Sequence, residues 1–347
     1  MTTDLITRPS SDTLVQAGQA ANQAAARYVF QDYRARKAAN TITRQDGDLA
    51  RFADFLTAAG LTPGDLANNP EAWRGITWGL VEGFARWQLG QGFAVSSVNV
   101  RLSTVKTYAK LALKAGTLDT AEYAMIRAVE GYSRKEGKRI NGQREEAELP
   151  TRKGSKKAAA VVLTTEQAAA LKAQPETPQG RRDALLMALL LDHGLRCGEV
   201  AGLTVTDFDL KAGKLTFYRP KVDKTQTHKL TADTLRAARA YFEQDAPAIG
   251  GLWRMSASKQ QGKAAAGTLT GPGMSERAIT KRVCHLGRAV GVEGLSAHDC
   301  RHYWATQAAR NGTPIDRLMD AGGWSSPAMP LRYVEAAAVA NQGVKLE

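Results

Sequence analysis

A mainly α fold with a small β-sheet or hairpin, divided between two domains, is what this sequence predicts. Three observations carry that reading. The chain of 347 residues is too long for one ordinary compact domain and suits two of roughly 100–200 residues each. Apolar side chains recur at helical spacing over most of its length, as in Leu49, Phe52, Phe55 and Leu56. One segment, "FYRPKVDKTQTHKL" at 217–230, instead gathers β-branched and aromatic residues on either side of a turn. With 43% hydrophobic and 23% charged residues the composition is globular and excludes wholesale disorder.

The elements follow in order. Residues 1–24 are small and polar and read as a flexible arm or a frayed helix. Helices are expected over Ala25–Arg36 and Thr43–Gly60, the second stopped by Gly60 and the "LTPGD" turn. Trp78–Leu89 carries Leu80, Val81, Phe84 and Trp87 at helical spacing. In the next helix Ser96 or Ser97 is the candidate N-cap, Val98, Leu102, Val105, Ala109 and Ala112 form the apolar stripe, and Gly116 lies past the end. Residues 25–131 are thus expected to form a bundle of four or five helices. From 132 to 159, Arg134, Lys135, Lys138, Arg139, Arg144, Arg152, Lys153, Lys156 and Lys157 alternate with glycines, Pro150 and a patch of glutamates, without apolar periodicity, and the expectation is an extended basic linker.

The second domain, 160–347, is expected to be α+β. Thr164 and Gln167 form a capping box ahead of a helix, and Ala184–Leu191 is apolar enough to be buried on all sides. Val222 and Asp223 sit at the hairpin turn, with Pro220 confining the first strand to an edge or an end. Helix resumes over Thr231–Gln244. Ser256–Gly273, rich in Ser, Gly, Ala and Lys, reads as a mobile loop, and helices continue from Ser275.

Lys and Arg number 47 against 34 Asp and Glu, a net charge of +13. Such an excess points to a polyanionic partner, nucleic acid or a membrane surface. No 18-residue apolar run exists, and the first twenty residues lack the basic-then-apolar layout of a secretion signal. Cys197, Cys284 and Cys300 are far apart and form no CxxC pair, which suggests a reducing compartment. The positive charge is therefore assigned to DNA or RNA. The cysteines make no metal set and no acidic cluster has two-metal spacing, so neither metal nor cofactor is inferred.

Four short stretches carry the chemistry: "HGLRCGEVAGL" (193–203), the hairpin at 217–230, "LSAHDCRHYWATQAARNG" (295–312) and "AGGWSSPAMPLRYV" (321–334). Guanidinium forks suit a phosphate because they donate two parallel hydrogen bonds and stay charged, and Arg196 and Arg301 could clamp one phosphate from two sides. Taken together, in this order, the four stretches resemble the tyrosine site-specific recombinases, the phage integrase family. The resemblance covers about residues 160–340 well and the N-terminal half loosely.

The resemblance implies a helical core-binding domain and a catalytic domain that grip double-stranded DNA, and a catalytic set of Arg196, Lys221, His298, Arg301, Trp324 and Tyr333. Tyr333 would attack the phosphodiester and become 3′-phosphotyrosyl. A phenol with a pKa near ~10 is ionised about once in a thousand at neutral pH, so the site must supply roughly 4 kcal/mol. His298 would accept or position the proton, Lys221 would protonate the leaving 5′-oxygen, Trp324 would donate through its indole N–H, and Glu199 would support Arg196. Lys224 is the rival lysine, three residues on. On the first domain Arg44, Arg101, Lys106 and Lys110 resemble the DNA-facing residues of the family's groove-binding helices. Function would be site-specific recombination by a homotetramer through a Holliday junction, in the cytoplasm, with the tail Val334–Glu347 docking on a neighbour. Two other readings stay open: a non-catalytic DNA-binding protein on this scaffold, and a type IB topoisomerase-like enzyme.

Each residue also has a plain structural reading. Arg196 can cap a helix, Trp324 can anchor a turn, and one tyrosine of nine is ordinarily packing. His302 and His285 read as structural, and His193 and His228 as incidental. What outweighs these readings is the joint order of the motifs.

Overall fold

The computed structural model describes residues 11–154, 160–257 and 267–337. It is mainly helical, with two small antiparallel sheets. The chain divides into two units, 1–156 and 157–347.

The first unit contains α1 (Ser11–Ala35), α2 (Ala39–Ala58), a 3-10 turn at Pro70–Trp73, α3 (Trp78–Gly90), α4 (Val95–Ala115), α5 (Thr120–Ala128) and α6 (Arg134–Glu146). Helix α4 is its axis and packs on α1, α2, α3 and α5. The stripe Val98, Leu102, Val105, Ala109 and Ala112 is buried throughout, as its spacing predicts. Its Leu102, Val105, Ala109 and Ala112 meet Phe30, Leu49, Phe52, Leu56, Trp73 and Phe84 in one core, while Val98 packs with Ala85 and Phe93. Gly116 ends α4 in the left-handed conformation at φ 78°. The N-cap is Ala94 rather than Ser96 or Ser97, and no side chain caps that end.

Two expectations for this unit are revised. Of the two readings of residues 1–24, the described part, from Ser11 on, takes the helical one and not that of a flexible arm, while residues 1–10 lie outside the described residues. The expected linker 132–159 is helical over Arg134–Glu146. Ser133 and Glu136 close a reciprocal capping box at its start. Its buried contact is a cation: Arg144 donates to the carbonyls of Phe93 and Leu89, the latter in the last turn of α3. A helix that docks through a guanidinium on orphan carbonyls leaves no apolar stripe in the sequence. Residues 155–159 of that stretch lie outside the described residues.

The second unit begins with α7 (Thr165–Lys172), capped by the expected Thr164–Gln167 box. Next is α8 (Pro178–Asp192), whose Leu185, Leu186, Met187, Leu189 and Leu190 are wholly buried. It packs on α10 (Ala232–Gln244), on α12 (Ala297–Arg310) and on α7. Between them lie α9 (Cys197–Ala201) and a three-stranded sheet of β1 (Phe208–Asp209), β2 (Lys214–Arg219) and β3 (Lys224–Lys229). Strand β2 buries Leu215, Phe217 and Arg219 in strict alternation, so its last inward side chain is charged. Residues 220–223 turn the hairpin, with Asp223 at φ 48°, a conformation that aspartate tolerates.

The expected loop Ser256–Gly273 is corrected at both flanks: β4 (Arg254–Ser256) pairs antiparallel with β5 (Leu269–Pro272). The wholly buried Arg182 donates to the Arg254 carbonyl and to Ser256 Oγ, which holds this ribbon to α8. Residues 258–266 lie outside the described residues. The unit continues with α11 (Glu276–Ala289), α12, α13 (Ile315–Gly322) and α14 (Ala328–Ala337), and the tail from 338 on lies outside the described residues.

His193 and His228, expected to be incidental, face each other with ring centroids 5.6 Å apart. Burial pushes both imidazoles down to about 4, with His193 also acting on His228. A histidine held neutral in the folded state and free to charge when unfolded contributes stability above its unfolded pKa, which is lost as pH falls. Stability should therefore decline as pH drops from about 6.5 towards 4. Urea unfolding of the wild type and of His228→Phe at several pH values in that window checks this. The variant should show the shallower decline, and identical slopes would show that the pair does not stay neutral.

Candidate active site

Two turns and two helices build the site. The first turn is Gly194-Leu195-Arg196, between α8 and α9. Gly194 has φ 58°, and a Cβ there would fall 2.2 Å from the Trp304 ring, so glycine is required. Arg196 occupies the N-cap position of α9. Glu199, at the third helical position, reaches back and accepts from the Arg196 backbone N–H at 2.8 Å and from its Nη1 at 2.7 Å. Arg196 Nη2 donates to the Gly323 carbonyl at 3.2 Å, and about a quarter of the side chain stays exposed.

The second turn ends α13 at Gly322-Gly323, with Gly323 in the left-handed conformation at φ 59°. Trp324 folds back over Gly322, where a Cβ would meet its ring at 2.1 Å. Its ring stacks on Trp304 with centroids 6.0 Å apart and lies 5.7 Å from the Tyr333 ring. Among the described residues its indole N–H has no acceptor, leaving a donor available.

Helix α12 is fixed by the Ser296–Asp299 capping box, and Asp299 Oδ1 also accepts from the backbone of Val161 at 2.9 Å. Arg301, one turn in, is buried and donates to the Gly194 and Gly322 carbonyls, both at 2.5 Å. It thereby ties the two turns together. Its guanidinium lies 4.3 Å from the Trp324 ring centroid. Burial, then the like charges of Arg196 and Arg219, push Arg301 down to about 9. The group stays charged at neutral pH.

His298 is exposed on α12, and its Nε2 lies 3.0 Å from His302 Nε2. Such a contact needs one protonated and one bare nitrogen, so the two rings share a hydrogen. Burial, followed by the charge of His298, lowers the His302 pKa. The His302 ring stands edge-on to the Tyr333 ring at 5.1 Å. Tyr333, on α14, is buried. Burial raises its phenol above the usual value, while Arg301, Arg332 and Arg196 pull it back down. Two of the site's arginines therefore act electrostatically on the phenol.

The structure thus brings together Arg196, Glu199, Arg301, Trp324 and Tyr333, and joins His298 to them through His302. Lys221 stands apart on the exposed hairpin turn and is without a partner among the described residues. Lys224, its rival, is ion-paired to Asp320 at 2.7 Å, which lowers the Asp320 carboxyl.

Sequence reasoning passed over Arg219 and read His302 as merely structural. Arg219 has a strand signal, being the third residue of the inward series Leu215, Phe217, Arg219. His302 lies four residues after His298, on the same helix face.

In the first unit, Arg44 is 45% exposed and bonded to Asp48 and Thr104, and Lys110 faces solvent. Arg101 is mostly buried and lies 4.2 Å from the Phe93 ring centroid. Lys106, partly exposed, donates to the carbonyls of Arg127 and Val129 at the end of α5. Among the described residues no three His, Cys, Asp or Glu gather to hold a metal ion, and no helix is long and apolar enough to cross a membrane.

Comparison with known proteins adds to this geometry. Residues 161–339 match the phage integrase family. Over 177 residues the chain is 28% identical to the tyrosine recombinase XerC of Myxococcus xanthus, a match that takes in 50% of this chain and 57% of that protein. Over 300 residues it is 24% identical to the tyrosine recombinase XerC of Pelobacter propionicus, with 85% and 84% covered. The chain resembles the Tn1549 transposon integrase in complex with transposon right end DNA, with a TM-score of 0.59 at 15% identity, covering 91% of this chain and 96% of that one. It also resembles a lambda integrase dimer bound to a COC′ core site, with a TM-score of 0.57 at 14% identity, covering 92% and 95%. At such identities the likeness is one of fold.

Gly194→Ala should displace the Trp304–Trp324 stack and the carbonyl that holds Arg301, lowering stability by about 1–3 kcal/mol. Urea unfolding checks this, and an unchanged midpoint would show that the turn has room for a methyl group.

Proposed function

The chain belongs to the phage integrase family, and from that premise we propose that it is a site-specific DNA recombinase in which Tyr333 is the nucleophile. The observation that carries the proposal is the gathering of two arginines from separate segments, Arg196 and Arg301, within electrostatic reach of one buried phenol. In the reaction the Tyr333 oxygen forms a bond to phosphorus and the bond from phosphorus to the 5′-oxygen breaks, leaving a 3′-phosphotyrosyl link. The phenolic proton passes to His298, and Lys221 protonates the departing 5′-oxygen. Arg196 and Arg301 neutralise the charge that builds on the non-bridging oxygens, and Trp324 adds its indole N–H. A 5′-hydroxyl from the partner duplex then reverses the step. Each phosphotyrosyl bond conserves the energy of the bond it replaces, so no nucleotide hydrolysis is needed.

In this reading the first unit binds the duplex, with Arg44 and Lys110 as candidate phosphate contacts and affinity that falls with salt. Four protomers pair two duplexes and exchange strands through a Holliday junction. The tail docks on a neighbour, and the protein acts in the cytoplasm, where its DNA is.

A nicked half-site substrate drawn from DNA flanking the encoding gene tests the proposal. Wild type should yield a covalent protein–DNA band, and Tyr333→Phe should lose it by at least about a thousandfold. A band that persists in Tyr333→Phe would show another nucleophile. Binding without any wild-type band would favour a non-catalytic DNA-binding protein, and relaxation of supercoils at many sequences would favour a topoisomerase.

A further inference from the structure

Arg219 donates four hydrogen bonds beside the site, and the catalytic scheme above leaves it without a role. It is wholly buried at the inward end of β2, two residues before Lys221. Its Nη1 donates to both oxygens of Glu199, at 2.9 and 2.8 Å, and its Nη2 donates to the Ala321 carbonyl at 2.7 Å. Its Nε donates to Gln226 Oε1 on β3, and Gln226 in turn donates to the Asp320 carbonyl at 2.5 Å. A Cβ on Gly323 would fall 2.8 Å from Arg219 Cδ, so the Trp324 turn rests directly on the arginine stem.

Burying a third guanidinium beside Arg196 and Arg301 is a poor way to gain stability, since an apolar side chain of similar volume would fill the space without the desolvation cost. What the arginine supplies is geometry. Glu199 Oε1 accepts from Arg196 Nη1 and Arg219 Nη1, and Oε2 accepts from the Arg196 backbone and the same Nη1. The carboxylate is thereby shared. Without Arg219 it could take Arg196 in a two-pronged pair and draw that fork away from the phosphate.

We infer that Arg219 is a positioning residue for strand cleavage: it divides Glu199 so that the Arg196 guanidinium stays presented to the phosphate, and it locks the base of the Lys221 hairpin to the turn that carries Trp324. This deepens the recombinase reading and rests on it.

The test measures single-turnover formation of the phosphotyrosyl adduct at saturating half-site DNA, together with DNA affinity and thermal unfolding. The variants are Arg219→Met, Glu199→Gln and the double variant. Arg219→Met should cleave about 100-fold more slowly with unchanged affinity. Glu199→Gln should restore part of that rate in the Arg219→Met background, because the carboxylate that captures Arg196 is gone. Arg219→Lys keeps the charge near Glu199 but cannot span Glu199, Gln226 and Ala321 together. It should cleave at an intermediate rate, and it serves as the single variant should Arg219→Met fail to fold. Full-rate cleavage by a folded Arg219→Met or Arg219→Lys, affinity lost in step with rate, or losses in Arg219→Met and Glu199→Gln that simply multiply would each overturn the inference. Absence of any adduct with wild type would instead overturn the recombinase reading itself.

Discussion

Three guanidinium groups, Arg196, Arg219 and Arg301, converge beside one buried carboxylate, that of Glu199. Positive charge in a partly dry space is costly unless it is bonded. Here each of the three also donates to backbone carbonyls at the turns 194–196 and 321–323, and Arg219 donates to Gln226 as well. Those carbonyls are free because each turn interrupts a helix. The fold thus converts orphaned helix ends into holders for cations, and the proposed function assigns those cations to a phosphate. Burial first, and then the neighbouring arginines, lower the Arg301 pKa, while burial raises the Tyr333 phenol against the pull of Arg301, Arg332 and Arg196.

Glycines make the convergence possible. Gly194 lets the Trp304 ring lie against the backbone, Gly322 does the same for Trp324, and Gly323 admits the stem of Arg219. The stacked indoles then form the wall on which Arg301 and Tyr333 are placed. Lys221 and Lys224 of the hairpin lie outside this wall. Arg219 anchors the inward side of that hairpin and leaves its tip, with Lys221, in solvent. In the proposed reaction, Lys221 on this tethered but exposed tip would meet a leaving group that arrives with the substrate.

Much of this was legible in the amino-acid order wherever one side chain has one use. The α4 stripe, the Thr164–Gln167 box, the apolar run in α8 and the hairpin all announce themselves through periodicity or turn chemistry. What escaped was built from polar residues facing inward. Helix α6 shows no stripe because its buried contact is Arg144 on two carbonyls, although Ser133 and Glu136 did mark its start. Arg219 reads as one more surface cation until its place in the β2 alternation is counted. His302 looks like a packing residue until His298 is set one turn below it. Lys106 reads as a solvent-facing cation, and its bonds to carbonyls at the end of α5 are not visible in the sequence. Composition records how many charges a chain carries, whereas their direction depends on partners distant in sequence.

The most direct measurement is a structure of the chain bound to its cleavage site, with vanadate in place of the scissile phosphate. The account predicts Arg196 and Arg301 each within about 3 Å of a non-bridging oxygen, the Tyr333 oxygen on vanadium opposite the 5′-oxygen, and Glu199 still divided between Arg196 and Arg219. Vanadate held by other side chains, or a Tyr333 turned away from it, would contradict the claim that these buried cations exist to receive a DNA phosphate.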